Sequence, residues 1–390
     1  MTWLFTLWPL LLELASHGAV DAPKLVDVPT LVDVNAWRTI GRVWFAGGDA
    51  YLTTASVDSL SENLRNCANC HSEVASEWRP SLHANAWLDP IFQSAYAKEP
   101  DASCRHCHAP MGDPTGTGKL LAADGISCAS CHVRNGTILG PTARAKGIVG
   151  HAVVAAPDMR KAGYCGGCHQ FGFVAHLQGK RHGSIETADF QQSTYAEWSQ
   201  SPHAAQGTQC QDCHMPTTKR ATGKMGASHR FIGAEPSAIA RAVQLAVTAT
   251  TTSAATQVSV QISTTGAGHA FPTGDVHRRA RLRIWCAQQP QTVQEIVLAR
   301  SYQTHRGTDT RHGPFAALRT TTDTRVPSTA SATYSARLPA CATVAYSLDY
   351  DNMPTPDPKL AGADKPWKTI AVAQGQVQAS VGSPPASIAP

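Results

Sequence analysis

The sequence predicts an α+β chain in two unlike parts, a mostly helix-and-loop region over residues 67–235 and a β-sandwich over residues 236–390. Three observations lead there. Five copies of Cys-x-x-Cys-His crowd into the first part and none occurs in the second. Short polar and Gly- or Pro-containing linkers separate those copies, leaving no room for long elements. The second part instead carries runs that alternate apolar and polar residues, the period of a half-buried strand.

The five copies are Cys67-Ala-Asn-Cys70-His71, Cys104-Arg-His-Cys107-His108, Cys128-Ala-Ser-Cys131-His132, Cys165-Gly-Gly-Cys168-His169 and Cys210-Gln-Asp-Cys213-His214. They use ten of the twelve cysteines and leave Cys286 and Cys341 over. Zinc ribbons pair Cys-x-x-Cys units without a trailing histidine at each. A thioredoxin-like redox pair occurs once, beside a βαβ pattern. A histidine after every one of five motifs is the signature of covalently attached c-type haem. The two thiols add across the porphyrin vinyl groups, and the histidine becomes the proximal iron ligand. Cys67, Cys70, Cys104, Cys107, Cys128, Cys131, Cys165, Cys168, Cys210 and Cys213 are therefore the expected attachment residues for five haem c groups. His71, His108, His132, His169 and His214 are the expected proximal ligands. About thirty residues per motif cannot enclose five macrocycles in side chains alone. The first part is thus expected to be a multihaem domain organised around five closely spaced haems, which exchange electrons.

A second axial ligand closes an iron and makes a low-spin electron carrier. The chain holds seventeen histidines, a surplus that points to bis-histidine ligation. An internal repeat, Glu77-Trp78-x-x-Ser81-x-His83-Ala84 and Glu197-Trp198-x-x-Ser201-x-His203-Ala204, puts His83 and His203 in one local frame. Each copy is followed by a Cys-x-x-Cys-His-x-Pro, at 104–110 and at 210–216. His151, just before the fourth motif, and His229 in SHRF, just after the fifth, are further candidates. His269 in GHAFPTG lies in the second part, on a tight loop able to reach over a haem, with His277 the next choice. The expected distal ligands are His83, His151, His203, His229 and His269. His176 and His182 are weaker candidates, His106 sits inside an attachment loop, and His305 and His312 read as solvent-exposed.

In the second part QVSVQIST (257–264), RARLRIWCA (279–287) and ATVAYSLDY (342–350) read as strands of a sandwich. Cys286 and Cys341 lie in or beside two of them and suit a disulfide in an oxidising compartment. The last eleven residues read as a frayed, disordered tail. Residues 1–19 resemble a secretory signal peptide, MTWLFTLWPLLLELA ending near small residues, although no Lys or Arg precedes the apolar run. In bacteria c-type haem is attached outside the cytoplasmic membrane, which requires export independently. Residues 20–66 form a leader with a short LVDV echo at 25–28 and 31–34. No later stretch approaches ~18 uninterrupted apolar residues, so no membrane span is expected in the mature chain.

The formal charge of +5 does not indicate a nucleic-acid partner. Each ferric haem adds about +1 at iron and −2 at its propionates, so five bring the mature oxidised protein near neutrality. The expected partners are redox proteins, either other cytochromes or membrane quinol-linked complexes.

On the EWxxSxHA repeats, CGGCHQF at 165–171, TYAEWSQSPHAAQGTQCQDCHMP at 194–216 and SHRF at 228–231, the chain resembles the exported multihaem cytochromes c. Within them it resembles the cytochrome c554 branch, related to the hydroxylamine oxidoreductase and pentahaem nitrite reductase group. GHAFPTGD at 268–275 resembles the start of a β-domain fused to such cytochromes. The resemblance implies stacked, mostly bis-histidine haems passing electrons in the periplasm. None of the five motifs ends in Lys, as the catalytic motif of the nitrite reductases does, and no tyrosine stands in the context of the hydroxylamine oxidoreductase cross-link. The expected function is electron transfer in the periplasm or at the cell surface. The alternative is an oxidoreductase of a small inorganic nitrogen or sulfur compound with one five-coordinate haem.

Overall fold

The computed structural model describes residues 67–98, 104–110, 125–134, 137–147, 150–172, 174–177, 180–184, 190–233, 235–304, 317–351 and 369–381. The signal and leader readings for residues 1–66 lie outside these.

Every Cys-x-x-Cys-His folds as a short helical turn. The turns are Cys67 to Cys70 with His71 bonded back to Cys67, Arg105–His108, Cys128–His132, the end of Gly163–His169, and Cys210–His214. One turn of helix puts positions i, i+3 and i+4 on a single face. Two thiols and an imidazole are thereby presented together, and little else is asked of these helices. Between them stand further short helices, Ser72–Trp78, Pro90–Lys98, Thr194–Ser199 and Pro202–Ala205, and small ribbons such as the strand at Thr137–Gly140.

The chain from Pro236 onward is built differently. Helix Pro236–Ala242 leads into strands β1 (Gln244–Thr251), β2 (Thr256–Ser263), β3 (Arg279–Cys286), β4 (Gln289–Leu298), β5 (Arg300–Thr304), β6 (Ala317–Asp323), β7 (Ala332–Leu338), β8 (Thr343–Asp351), β9 (Thr369–Gln378) and β10 (Ser380–Val381). Two four-stranded sheets result, β7-β2-β1-β10 and β4-β3-β8-β9, with β5 and β6 pairing separately. All pairings are antiparallel except β1 with β10. The expected frayed tail thus begins as a strand, because Ser380 and Val381 pair with Thr250 and Thr251. The rest of the tail lies outside the described residues.

Alternation decides which side chains face inward. Val258, Val260 and Ile262 of β2 and Ala280, Leu282, Ile284 and Cys286 of β3 belong to one buried cluster shared by both sheets. Ile239 and Val243 belong to it as well. Cys286 and Cys341 form a disulfide. Strand β8 is buried over most of its length, including Asp349 and Asp351. A buried carboxylate must be paired. Asp351 accepts from Arg279 Nε at 3.0 Å, from both ends of the Arg281 guanidinium at 2.6 and 2.9 Å, and from Thr369 Oγ1 at 2.8 Å.

Burial opposes ionisation of Asp351, but the hydrogen bonds from Arg281, Thr369 and Arg279 outweigh it and hold the carboxyl below its ordinary value. A depressed folded-state pKa contributes stability above the ordinary value and loses it as the pH falls through the folded one. Asp351→Asn is expected to cost about 2–4 kcal/mol at neutral pH, since it strands the arginines. In guanidinium unfolding the gap to wild type should close as the pH drops below about 3.9.

Candidate haem-binding centre

Four of the five motif histidines meet a second histidine across a gap. His71 faces His151 with ring centres 6.1 Å apart, and His169–His83, His132–His229 and His214–His269 are each 6.2 Å apart. A metal between two imidazoles sits about 2.0–2.1 Å from each nitrogen. The ring centres, each roughly a bond length behind its nitrogen, then lie a little over 6 Å apart. The four pairs match that spacing although they join distant parts of the chain.

The outward nitrogens are tied down. Nδ1 of His132 and of His108 lies 2.9 Å from the carbonyls of Leu139 and Ala86, and Nδ1 of His214 meets the Ile232 carbonyl. Among the distal rings, Nδ1 of His229 lies 3.0 Å from Ala227 O and that of His269 3.0 Å from Ala270 O. A carbonyl only accepts, so the proton sits on Nδ1 and Nε2 is left to face a metal. Burial pushes His83 down to about 3 and His169 to about 4 and lowers His229 and His269, which favours the neutral form of these four. Neutral imidazole is the ligating form. The Nδ1 of His83 is buried with no partner. None of the ten motif cysteines is in a disulfide. These residues fit c-type haem held between two histidines.

The attachment segments adjoin one another. Sulfurs come close between the first and third motifs (Cys67, Cys128), the second and fourth (Cys107, Cys168) and the fourth and fifth (Cys165, Cys210). Tyr164 Oη donates to Cys131 O at 2.5 Å, joining the third and fourth. One contiguous string of sites results, with the fourth at its branch point.

His203 stands apart from this set. Its Nε2 lies 3.3 Å from Thr265 O, on the turn that precedes His269, so the ring braces a loop rather than facing a proximal histidine. The repeat fixes its local frame but not what lies opposite. His269, not His277, is the ring that faces His214. His108 is also distinct: its ring stacks on Phe92, 3.7 Å away and tilted by 12°, and no second histidine ring faces it among the described residues. The side chains of His106, His176 and His182, with all of His305 and His312, lie outside the described residues.

The structure also re-registers the repeat. Trp78 Nε1 donates to Ile126 O and Trp198 Nε1 to Thr208 O, at 2.9 and 3.0 Å. Ile126 N bonds to His83 O, and Thr208 N to His203 O. Ser81 and Ser201 each accept from the amide three residues on. The counterpart of the fifth motif is therefore the third, entered through Gly125-Ile-Ser-Cys128 as the fifth is through Gly207-Thr-Gln-Cys210. The second motif lies in an insertion between His83 and Gly125. Phe231, with φ of +51°, is held left-handed with its ring 4.1 Å from His83 and 6.0 Å from His229, between two distal positions.

Comparison with known proteins agrees with this geometry. The cytochrome c554 and c-prime model matches residues 66–133, over the first three motifs, and the cytochrome c552 model matches residues 180–236, over the fifth. The chain is a multihaem c-type cytochrome. It is similar to the crystal structure of a penta-haem cytochrome c552 from Thermochromatium tepidum, at 20% identity and a TM-score of 0.61. That match covers 83% of this chain and 99% of the other. No curated protein matches the chain. This cytochrome binds c-type haem covalently, and its class acts in electron transfer with redox partners. No helix among the described residues is long and apolar enough to cross a membrane.

Gly125 tests the register of the repeat. Its φ is +56°, and an added Cβ would lie 2.6 Å from the carbonyl oxygens of both His83 and Ala84. Gly125→Ala is expected to cost roughly 2–4 kcal/mol. Gly207→Ala, at φ +82° but with open space around it, should cost about 1 kcal/mol. Thermal unfolding of the two holoprotein variants, followed in the Soret band, reads the difference.

Proposed function

We propose that the chain carries electrons through five haems outside the cytoplasmic membrane, with at least four irons held between two histidines. The observation that carries this is the set of four facing pairs, His71–His151, His169–His83, His132–His229 and His214–His269. Bound haem iron would alternate between ferric and ferrous states and so relay single electrons. The chain's own part is to close both faces of those four irons, orient the imidazoles, and hold adjoining attachment segments in contact. Closed, preorganised faces limit rearrangement when an electron arrives and exclude small molecules.

Export is supported by the chemistry of attachment and by the Cys286–Cys341 disulfide, which belongs to an oxidising compartment. On this reading residues 1–19 are the signal peptide, 20–66 a leader, 67–235 the pentahaem domain and 236–390 a β-sandwich domain. The EWxxSxHA and SHRF segments favour the cytochrome c554-like branch. Partners would be other cytochromes or quinol-linked membrane complexes.

One observation favours a second reading. His108 faces no histidine among the described residues, so the haem of the inserted motif is the one where a small inorganic nitrogen or sulfur compound would be turned over. Low-temperature EPR of the oxidised holoprotein, with haem stoichiometry on the same sample, separates the two. Five low-spin signals indifferent to nitrite, hydroxylamine and cyanide are expected for the carrier. One high-spin iron that responds, and that His108→Ala removes, establishes the second reading. Two or more high-spin irons would overturn the bis-histidine assignment.

A further inference from the structure

The glutamate that opens each EWxxSxHA repeat has no evident role in haem attachment, yet both copies are enclosed and make the same contacts. Glu77 accepts from the backbone N–H of His229 at 2.9 Å and from Arg220 Nη1 at 2.7 Å. Arg220 in turn donates to the Ala227 carbonyl, the same oxygen that His229 Nδ1 meets. Glu197 accepts from the backbone N–H of Ala270 at 3.2 Å, from Thr273 Oγ1 at 2.6 Å and from Arg325 Nη1 at 2.8 Å. Arg325 donates to the Pro272 carbonyl at 3.2 Å. Each carboxylate thus grips an amide at or next to a distal histidine, and each paired arginine grips a carbonyl of the same segment. The ion pairs are well enclosed, with side chains 11% and 17% exposed in the first copy and 9% and 11% in the second. Charge-assisted bonds of this kind are the strong ones.

The tryptophan that follows each glutamate completes the pattern. Trp78 bonds the Ile126 carbonyl two residues before Cys128, whose motif supplies His132. Trp198 bonds the Thr208 carbonyl two residues before Cys210, whose motif supplies His214. His132 faces His229, and His214 faces His269. Within each repeat, neighbouring residues therefore hold the proximal and distal sides of one and the same site. This arrangement recurs although the two distal segments share only a His-x-Phe (His229 to Phe231, His269 to Phe271) and one of them comes from the β region.

We infer that Glu77 and Glu197 are positioning residues that clamp the distal histidines His229 and His269 onto the third and fifth irons, each through an enclosed arginine. The inference rests on the bis-histidine reading of those two sites. A carboxylate accepts from backbone and arginine together. A glutamine has one accepting oxygen and presents its NH2 to the other donor, so Glu→Gln keeps the shape and breaks the clamp.

The test is carbon monoxide uptake by the dithionite-reduced holoprotein, counted per haem. His229→Ala and His269→Ala each report on the ligand reading, because each should create one additional CO-reactive haem. If neither does, the ligand reading fails and the clamp falls with it. Given that they do, Glu77→Gln and Glu197→Gln should each speed uptake at one haem by about 10–100-fold, the usual effect of removing a residue that orients a metal ligand. Glu77→Gln in a His229→Ala background should add nothing, which a general loss of stability would not reproduce. Wild-type uptake in both glutamine variants overturns the clamp while leaving the ligands in place. Should a glutamine variant fail to load haem, Glu77→Asp and Glu197→Asp, which keep the charge but fall short of the amide, give the same reading. Unchanged uptake in these would again overturn it.

Discussion

An iron that takes one imidazole on each face, as proposed for four sites here, ties together two pieces of chain that sequence order keeps apart. Almost everything in the first part of this protein serves that requirement. The helices are a turn or two long because they need only bring two thiols and a ring onto one face. The ribbons and loops return the chain so that a second ring arrives about 6 Å from the first. Apolar burial plays a small part here and a dominant one in the β region, where Val260, Ile262, Leu282 and Ile284 are fully enclosed.

That contrast explains what could be read from the residues alone. Cysteines and proximal histidines are legible because covalent attachment demands them at fixed spacing. The three strand runs are legible because alternation is a local property, and the structure places strands at Thr256–Ser263, Arg279–Cys286 and Thr343–Asp351. Which second ring faces a motif histidine depends on two remote segments and leaves only indirect marks. His83, His151, His229 and His269 stand in distinctive contexts and do face proximal rings. His203 has the same local context as His83 and does not, since the segment packed over it is the turn at Thr265.

The repeat was visible but its register was not. Pairing each copy with the next motif in the chain matches the second motif to the fifth, whereas hydrogen bonding matches the third to the fifth. The glycine that marks the true counterpart, Gly125 or Gly207, is a single residue with a positive φ and gives no signal unless the insertion is known. The roles of Glu77 and Glu197 were likewise hidden, because the groups they hold lie far along the chain.

The His269 loop is bolted to the β region by the paired backbones of Phe271 and Val326, and it is received by the second repeat through Gly268, Glu197 and Trp198. In the first repeat the same task falls to a segment that follows the fifth motif. Repeat arrays need an end piece that covers the last exposed face without offering a new one. In those terms the β region is a terminal cap. It supplies the covering ring and arginine that a third copy of the repeat would otherwise have to provide, His269 and Arg325.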